Sequence, residues 1–180
     1  MPKTGQPRCW DGLGNPIDCA GTGQDGELQK GVSTDPRFTD NGDGTVQDNL
    51  TGLIWLKDAN CSVVSPKNFA NAFNAVSRLQ SGQCGLTDGS AKGDWRLPTK
   101  AEWQALVNTS CATPALPNAA GTGCYSTGAW ATGVQLSGYW SSTTFATNPG
   151  IAWGVDLNDG YVSRLDKSFT YYVWPVRGGP

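Results

Sequence analysis

YWSSTTFATNPGIAWGVDLNDGYVSRLDKSFTYYVWPVRGG, residues Tyr139 to Gly179, is the stretch that decides the fold class. Polar turns separate three short apolar runs within it. In the middle run, Trp153, Val155 and Leu157 alternate with Gly154 and Asp156. Alternation with period two predicts a half-buried strand, with the three apolar residues on its inner side. Asn158-Asp159-Gly160 follows, and these residue types tolerate positive φ, so the chain is expected to reverse into a hairpin. The return arm carries Tyr161, Ser163 and Arg164. The last run, Tyr171 to Val176, is apolar on both faces, which predicts one central, covered strand. Between the strands the tips carry Phe145, Asn148, Asp159, Tyr161, Arg164, Lys167, Phe169 and Tyr171. Aromatic, Arg and Asn side chains at hairpin tips suit recognition, since they offer contact area with few rotors and adaptable hydrogen bonds. Ordinary solvated turns are the alternative.

The rest of the composition agrees with short strands and long loops. The chain has 180 residues, 24 of them Gly and 8 Trp, with 38% hydrophobic and only 16% charged residues. That length fits one domain with a substantial core, and this mixture of glycine and aromatics argues against a helical bundle. Net charge is −2 and no Lys/Arg-rich run is present, so the basic footprint of a nucleic-acid binder is missing. There is no histidine, which removes Ser-His and Cys-His nucleophiles and His-containing zinc sites. No cofactor or metal is expected.

Six cysteines stand at Cys9, Cys19, Cys61, Cys84, Cys111 and Cys124, none in a C-x-x-C pair. An even number in loop-like segments favours disulfides and an oxidising compartment over zinc or redox chemistry. Of the possible connectivities, pairing between sequence neighbours closes three short loops: Cys9–Cys19, Cys61–Cys84 and Cys111–Cys124. Six reduced thiols in a cytosolic core are the alternative. No stretch approaches the length of a membrane span, and no signal peptide is visible. With disulfides, this is the expectation for a mature form of an exported protein. MPKTG at residues 1 to 5 superficially resembles a sortase signal, which belongs at a C-terminus.

Working back toward the N-terminus, Trp95-Arg96-Leu97-Pro98 leads into a helix with Thr99 as cap and Glu102 three residues on, a capping box. Trp103, Leu106 and Val107 form its inner face. Ser65 to Gln80 is a second helix, with Ser65 as cap, Pro66 at the first position and Gly82 as terminator. Its apolar face comprises Phe69, Ala72, Phe73, Val76 and Leu79. Leu53 to Leu56 reads as a buried strand. Asn41-Gly42-Asp43-Gly44 joins Phe38-Thr39-Asp40 to Thr45–Asp48 as a hairpin, and the spacing of Asp40, Asp43 and Asp48 does not fit an EF-hand loop. Residues 1 to 36 are expected to form an irregular arm pinned by Cys9–Cys19, with the domain proper over 37 to 180.

Five motifs in order carry a family likeness: RFTDNGDGTVQDNLTGLIWLKDANC (Arg37 to Cys61), DWRLPTKAEWQALV (Asp94 to Val107), YWSST (Tyr139 to Thr143), AWGVDLNDGYVS (Ala152 to Ser163) and YVWPVRGG (Tyr172 to Gly179). Together they closely resemble the bacterial family named after the C-terminal domain of the Legionella collagen-like adhesin. The resemblance implies an α+β, C-type-lectin-like fold: two helices packed on small twisted antiparallel sheets, with long disulfide-braced loops. RLPTKAEW also resembles a segment of formylglycine-generating enzymes of the same broad fold. Those enzymes use two late cysteines, and none follows Cys124.

The C-terminal pattern is also similar to the variable regions of retroelement-diversified proteins. That likeness implies scaffold positions at Trp140, Ser141, Trp153, Val155, Gly160, Val162, Val173 and Arg177. Interleaved variable positions would be Asp166, Ser168 and most of the hairpin-tip residues. The candidate ligand-binding set is Phe145, Asn148, Asp156, Asn158, Asp159, Tyr161, Ser163, Arg164, Lys167, Phe169 and Tyr171. The calcium-dependent sugar motifs of animal lectins are absent. The expectation is a secreted or surface-displayed module, not an enzyme, that recognises a surface glycan or protein and can form a homo-oligomer. A structural role in assembling a surface fibre is the alternative.

Overall fold

The computed structural model describes residues 8–28 and 35–179. The described part of the arm contains a short antiparallel pair, β1 (Cys9–Trp10) and β2 (Pro16–Ile17), and a single helical turn, α1 (Asp25–Leu28). Cys9–Cys19 closes it, and Asp11 holds the turn between the strands by accepting the Leu13 and Asn15 amides. The sortase-like residues 1 to 5 lie outside the described residues. All three disulfides join the expected sequence neighbours, Cys9–Cys19, Cys61–Cys84 and Cys111–Cys124.

The body is α+β and mostly β. A four-stranded antiparallel sheet has the order β11-β5-β4-β3, from β3 (Phe38–Asp40), β4 (Thr45–Asp48), β5 (Leu53–Leu56) and β11 (Val176–Gly178). The β3–β4 hairpin forms where Asn41–Gly44 predicts it: Asp43 accepts from the Thr45 amide and hydroxyl, and Asp40 from the Gly42 amide. A three-stranded sheet, order β7-β8-β9, comprises β7 (Gly138–Thr144), β8 (Ile151–Asp156) and β9 (Val162–Asp166). A small pair links β6 (Lys67–Asn68) to β10 (Thr170–Tyr171).

The core between these layers is aromatic. Trp55 lies 5.3 Å from Trp103 and 5.2 Å from Trp174, and Trp130 stacks between Trp174 and Phe38. Such pairs each add about 0.5–1.5 kcal/mol beyond burial. Several indole N–H groups also tie distant segments together, since a buried donor is satisfied by an acceptor, although the buried Trp55 indole N–H has none among the described residues. Trp103 donates to Trp140 O (3.0 Å), Trp174 to Leu56 O (2.6 Å) and Trp140 to Lys67 O (2.9 Å).

Helix α3 (Lys100–Leu106) starts with the expected capping box: Thr99 accepts the Glu102 amide, and Glu102 accepts the Thr99 amide. Trp103 and Leu106 point inward. The other helix is shorter than the apolar spacing suggested. It is α2 (Phe69–Val76), capped by Asn68, whose side chain accepts the Asn71 amide. Ser65 is not the cap because its hydroxyl accepts the Val173 amide (3.0 Å), and Lys67–Asn68 is held extended by β10. Beyond Val76 the chain continues in tight turns that still bury Leu79, so Gly82 does not end the helix. Phe73 is 40% exposed, not inner.

Two strand expectations are also corrected. Tyr171 to Val176 is not one central strand. Tyr171 belongs to β10, Tyr172 bridges Tyr139, and Val176 begins β11 in the other sheet. Pro175, with no N–H to donate, lies in the crossing, where Val173, Trp174, Pro175 and Val176 are all buried. In β8, Trp153 does not join Val155 and Leu157 in the core. It is only half-buried, whereas Ala152 and Gly154 on the opposite side are buried.

Candidate ligand-binding face

The β8–β9 turn is built by its own side chains. Asp156 accepts the Gly160 amide on its carbonyl (2.8 Å) and the Asn158 amide on its carboxylate (2.9 Å). The Asp159 carboxylate accepts the Tyr161 amide (2.9 Å). Gly160 has φ +78, and a Cβ there would stand 3.1 Å from Ala115 Cβ, so glycine is required. The neighbouring loop pins the turn from outside, with the Thr113 amide on Asn158 O and the Ala115 amide on Leu157 O. Cys111–Cys124 braces that loop.

At the opposite end of the sheet, the β7–β8 turn is closed by Asn148, whose side chain accepts the Gly150 amide. Lys167 reaches across it, donating to Thr144 Oγ1 and Pro149 O (both 2.8 Å) and lying over the Phe69 ring. Asn148, Asp156, Asp159 and Lys167 therefore hold the backbone that presents the face.

Between these turns, side chains with no core role gather. Trp153 and Arg164 are direct cross-strand partners. Phe145 sits edge-on to Trp153 (5.6 Å, 79°), and the Arg164 guanidinium lies 5.1 Å over Phe145. Lys100, from the first turn of α3, places Nζ 3.4 Å above the Trp153 ring. Tyr161 is 70% exposed and stands between two open depressions. One, of about 530 Å³, is lined by Phe145, Trp153, Tyr161, Val162, Ser163 and Arg164. The other, of about 470 Å³, is lined by Gln104, Val107, Thr109, Asp159, Gly160, Tyr161 and Val162.

Of the sequence-derived set, the structure brings Phe145, Tyr161, Ser163 and Arg164 to the first depression and Asp159 to the second. Asn158 is exposed at the turn tip. Phe169 and Tyr171 are not part of this cluster. They follow β9, whose five residues separate them from Tyr161 by roughly 16 Å along the strand. Phe169 is exposed on the β9–β10 turn, and Tyr171 packs edge-on against Trp140 (4.9 Å). Sequence reasoning missed Trp153, Lys100, Gln104, Val107 and Thr109 as members of the face. Trp153 carried a signal, an aromatic at a strand position, but alternation assigned it inward. The other four lie on or just after a helix distant in sequence, and only tertiary packing places them here.

Of the acidic residues considered for chemistry, Glu102 is partly buried, which works against its charge. The Arg96 guanidinium, bonded to both its oxygens at 2.6 and 2.8 Å, and the Thr99 amide outweigh that and hold the carboxyl below its ordinary range. Asp166 is held low by the Ser168 amide and hydroxyl. Among the described residues, no three His, Cys, Asp or Glu side chains group as a metal site, and no helix is long and apolar enough to cross a membrane.

Comparison with known families agrees with the motif order. A family model described as the Lcl C-terminal domain matches residues 44–177. No curated protein matches the chain.

Proposed function

The chain belongs to the Lcl C-terminal domain family, and from that premise we propose that it is a ligand-recognition module of a bacterial adhesin, working outside the cytoplasm. The observation that carries the reading is Tyr161. This aromatic side chain is 70% exposed on a turn fixed by Asp156, Asp159 and Gly160, and it separates two depressions walled by Trp153, Phe145 and Val107. A large ring on a rigid turn buries area at small entropic cost, which suits both sugar stacking and protein contact. Three disulfides support the extracytoplasmic placement.

The proposal is of a binder and not a catalyst. Glu102 is engaged by Arg96 and Thr99, and Asp156 and Asp159 by their own turn. A C-type-lectin-like fold is part of the proposal. Its support is two helices against small antiparallel sheets, with the first and last strands of the body, β3 and β11, forming the two edges of one sheet.

The test is a glycan array and a pull-down from surface extracts, using oxidised protein with calcium and with chelator. Wild type is compared with a Tyr161→Ala, Arg164→Ala variant and with Phe169→Ala alone. Binding lost in the double variant and kept in Phe169→Ala is expected. Binding indifferent to the double variant would overturn the assignment of this face, and loss on Phe169→Ala alone would move the site to the other end of β9. Chelator sensitivity would show that a cation takes part.

A further inference from the structure

Strand β9 is the outer strand of its sheet, paired with β8 on one side only. The register determines which of its main-chain groups face away. The Asp156 amide bonds Tyr161 O (2.9 Å) and the Lys167 amide bonds Gly150 O (2.9 Å). Alternation along an antiparallel ladder then makes Gly154–Ser163 and Ala152–Leu165 the remaining bonded pairs. Val162 and Arg164, opposite Val155 and Trp153, occupy the non-bonded positions, so their N–H and C=O groups point outward. Among the described residues nothing takes those groups. Natural edges are often blunted by proline or a bulge; β9 has neither, and the charges it carries are Arg164 and Asp166.

The edge strand thus carries both signs of charge, Arg164 and Asp166. Arg164 and Lys100 lie over aromatic rings and have no acidic partner among the described residues. The nearby acids are occupied, Asp159 by the Tyr161 amide and Asp166 by Ser168. We propose that the free edge of β9 receives an extended peptide segment of a partner protein as a fourth strand, with an acidic side chain opposite Arg164. Main-chain bonds to Val162 and Arg164 supply the register. A strand laid about 4.8 Å from β9 sets alternate side chains over the face that holds Trp153. There an acid meets Arg164, and an apolar residue opposite Val162 reaches the depression beside Val107. The inference rests on the recognition reading above and names its ligand class.

The test pans displayed libraries of random peptides about twelve residues long, one acidic-biased and one basic-biased, against the oxidised full chain. Enrichment from the acidic library is expected. Backbone N-methylation at every second residue of a bound peptide should weaken it about tenfold, with little effect at intervening positions. The Val162 and Arg164 amides should gain protection from hydrogen exchange, and Arg164→Glu should shift enrichment to the basic library. Val162→Pro removes a donor that points away from β8, so the strand stays paired and the protein folds; peptide affinity should fall about tenfold or more. No enrichment, or binding indifferent to both N-methylation and Val162→Pro, overturns the proposal. Ligand binding lost in the Tyr161→Ala, Arg164→Ala variant but unchanged by Val162→Pro would sink the strand edge and leave the recognition reading standing. Absence of any ligand in both experiments would sink both.

Discussion

Gly154→Ala tests whether the packing of the face-bearing sheet is as tight as its geometry states. Gly154 sits in the middle strand, opposite Trp140 on one side and Ser163 on the other. A Cβ there would overlap Leu165 Cδ1 and stand 2.6 Å from the carbonyl oxygen of Tyr139 and 3.0 Å from Leu165 Cγ. Leu165 is half-buried and can turn away. The Tyr139 carbonyl cannot, because it belongs to the β7–β8 ladder. Overpacking a close-packed site typically costs about 1–3 kcal/mol, and a backbone obstacle places this change at the upper end. For a domain of this size about 1 kcal/mol moves Tm by roughly 2–4 °C, so a fall of about 5–10 °C is expected. The assay is thermal unfolding followed by near-ultraviolet circular dichroism, which reads the aromatic core. Gly12→Ala, where nothing lies within 4 Å, is the control and should melt like wild type. Leu165→Ala combined with Gly154→Ala separates the two obstacles. If the carbonyl dominates, the double variant stays below Leu165→Ala alone by about the single-variant cost. Gly154→Ala melting within about 1 °C of wild type would refute the reasoning.

Thr99→Ala removes the α3 cap and should cost about 1 kcal/mol in urea unfolding, because the Glu102 amide loses its acceptor. Acid should destabilise the protein in a defined window. Lys57 holds Asp40 below 3.8, and Arg96 outweighs burial to hold Glu102 below 4.5, so their contribution is present above those ordinary values and is lost as pH falls through the lower folded ones. The urea midpoint should therefore drop below about pH 4.5, less steeply in Asp40→Asn with Glu102→Gln; identical pH profiles would contradict this. Replacing Cys61 and Cys84 by Ser opens a loop of 23 residues and should cost roughly 3 kcal/mol in the chain-entropy account. Tyr161→Ala with Arg164→Ala, both exposed, should leave Tm within about 2 °C of wild type, consistent with surface substitutions away from the core.

The features legible in the sequence were those carried by neighbours in the chain. The capping box at Thr99 and Glu102, the turns at Asn41–Gly44 and Asn158–Gly160, the strand Leu53–Leu56 and the three short disulfide loops all depend on interactions within a few to some twenty residues. Residue type and spacing are enough there. Tertiary structure decided the rest. Ser65 could have capped a helix, but its hydroxyl serves Val173, 108 residues away, and the start of the helix moves to Phe69. Tyr171 to Val176 has the pattern of one strand, yet two different sheets compete for its ends and divide it. Trp153 obeys alternation in the chain, but alternation names only two faces and not how far along the strand a face is covered; Val155 is buried, whereas Trp153 is only half-buried under the Lys100 ammonium. The candidate face itself unites a hairpin with Lys100, Gln104 and Val107. Local pattern records what a residue prefers beside its neighbours, whereas a site forms where distant segments are packed together, and only the folded chain sets that meeting.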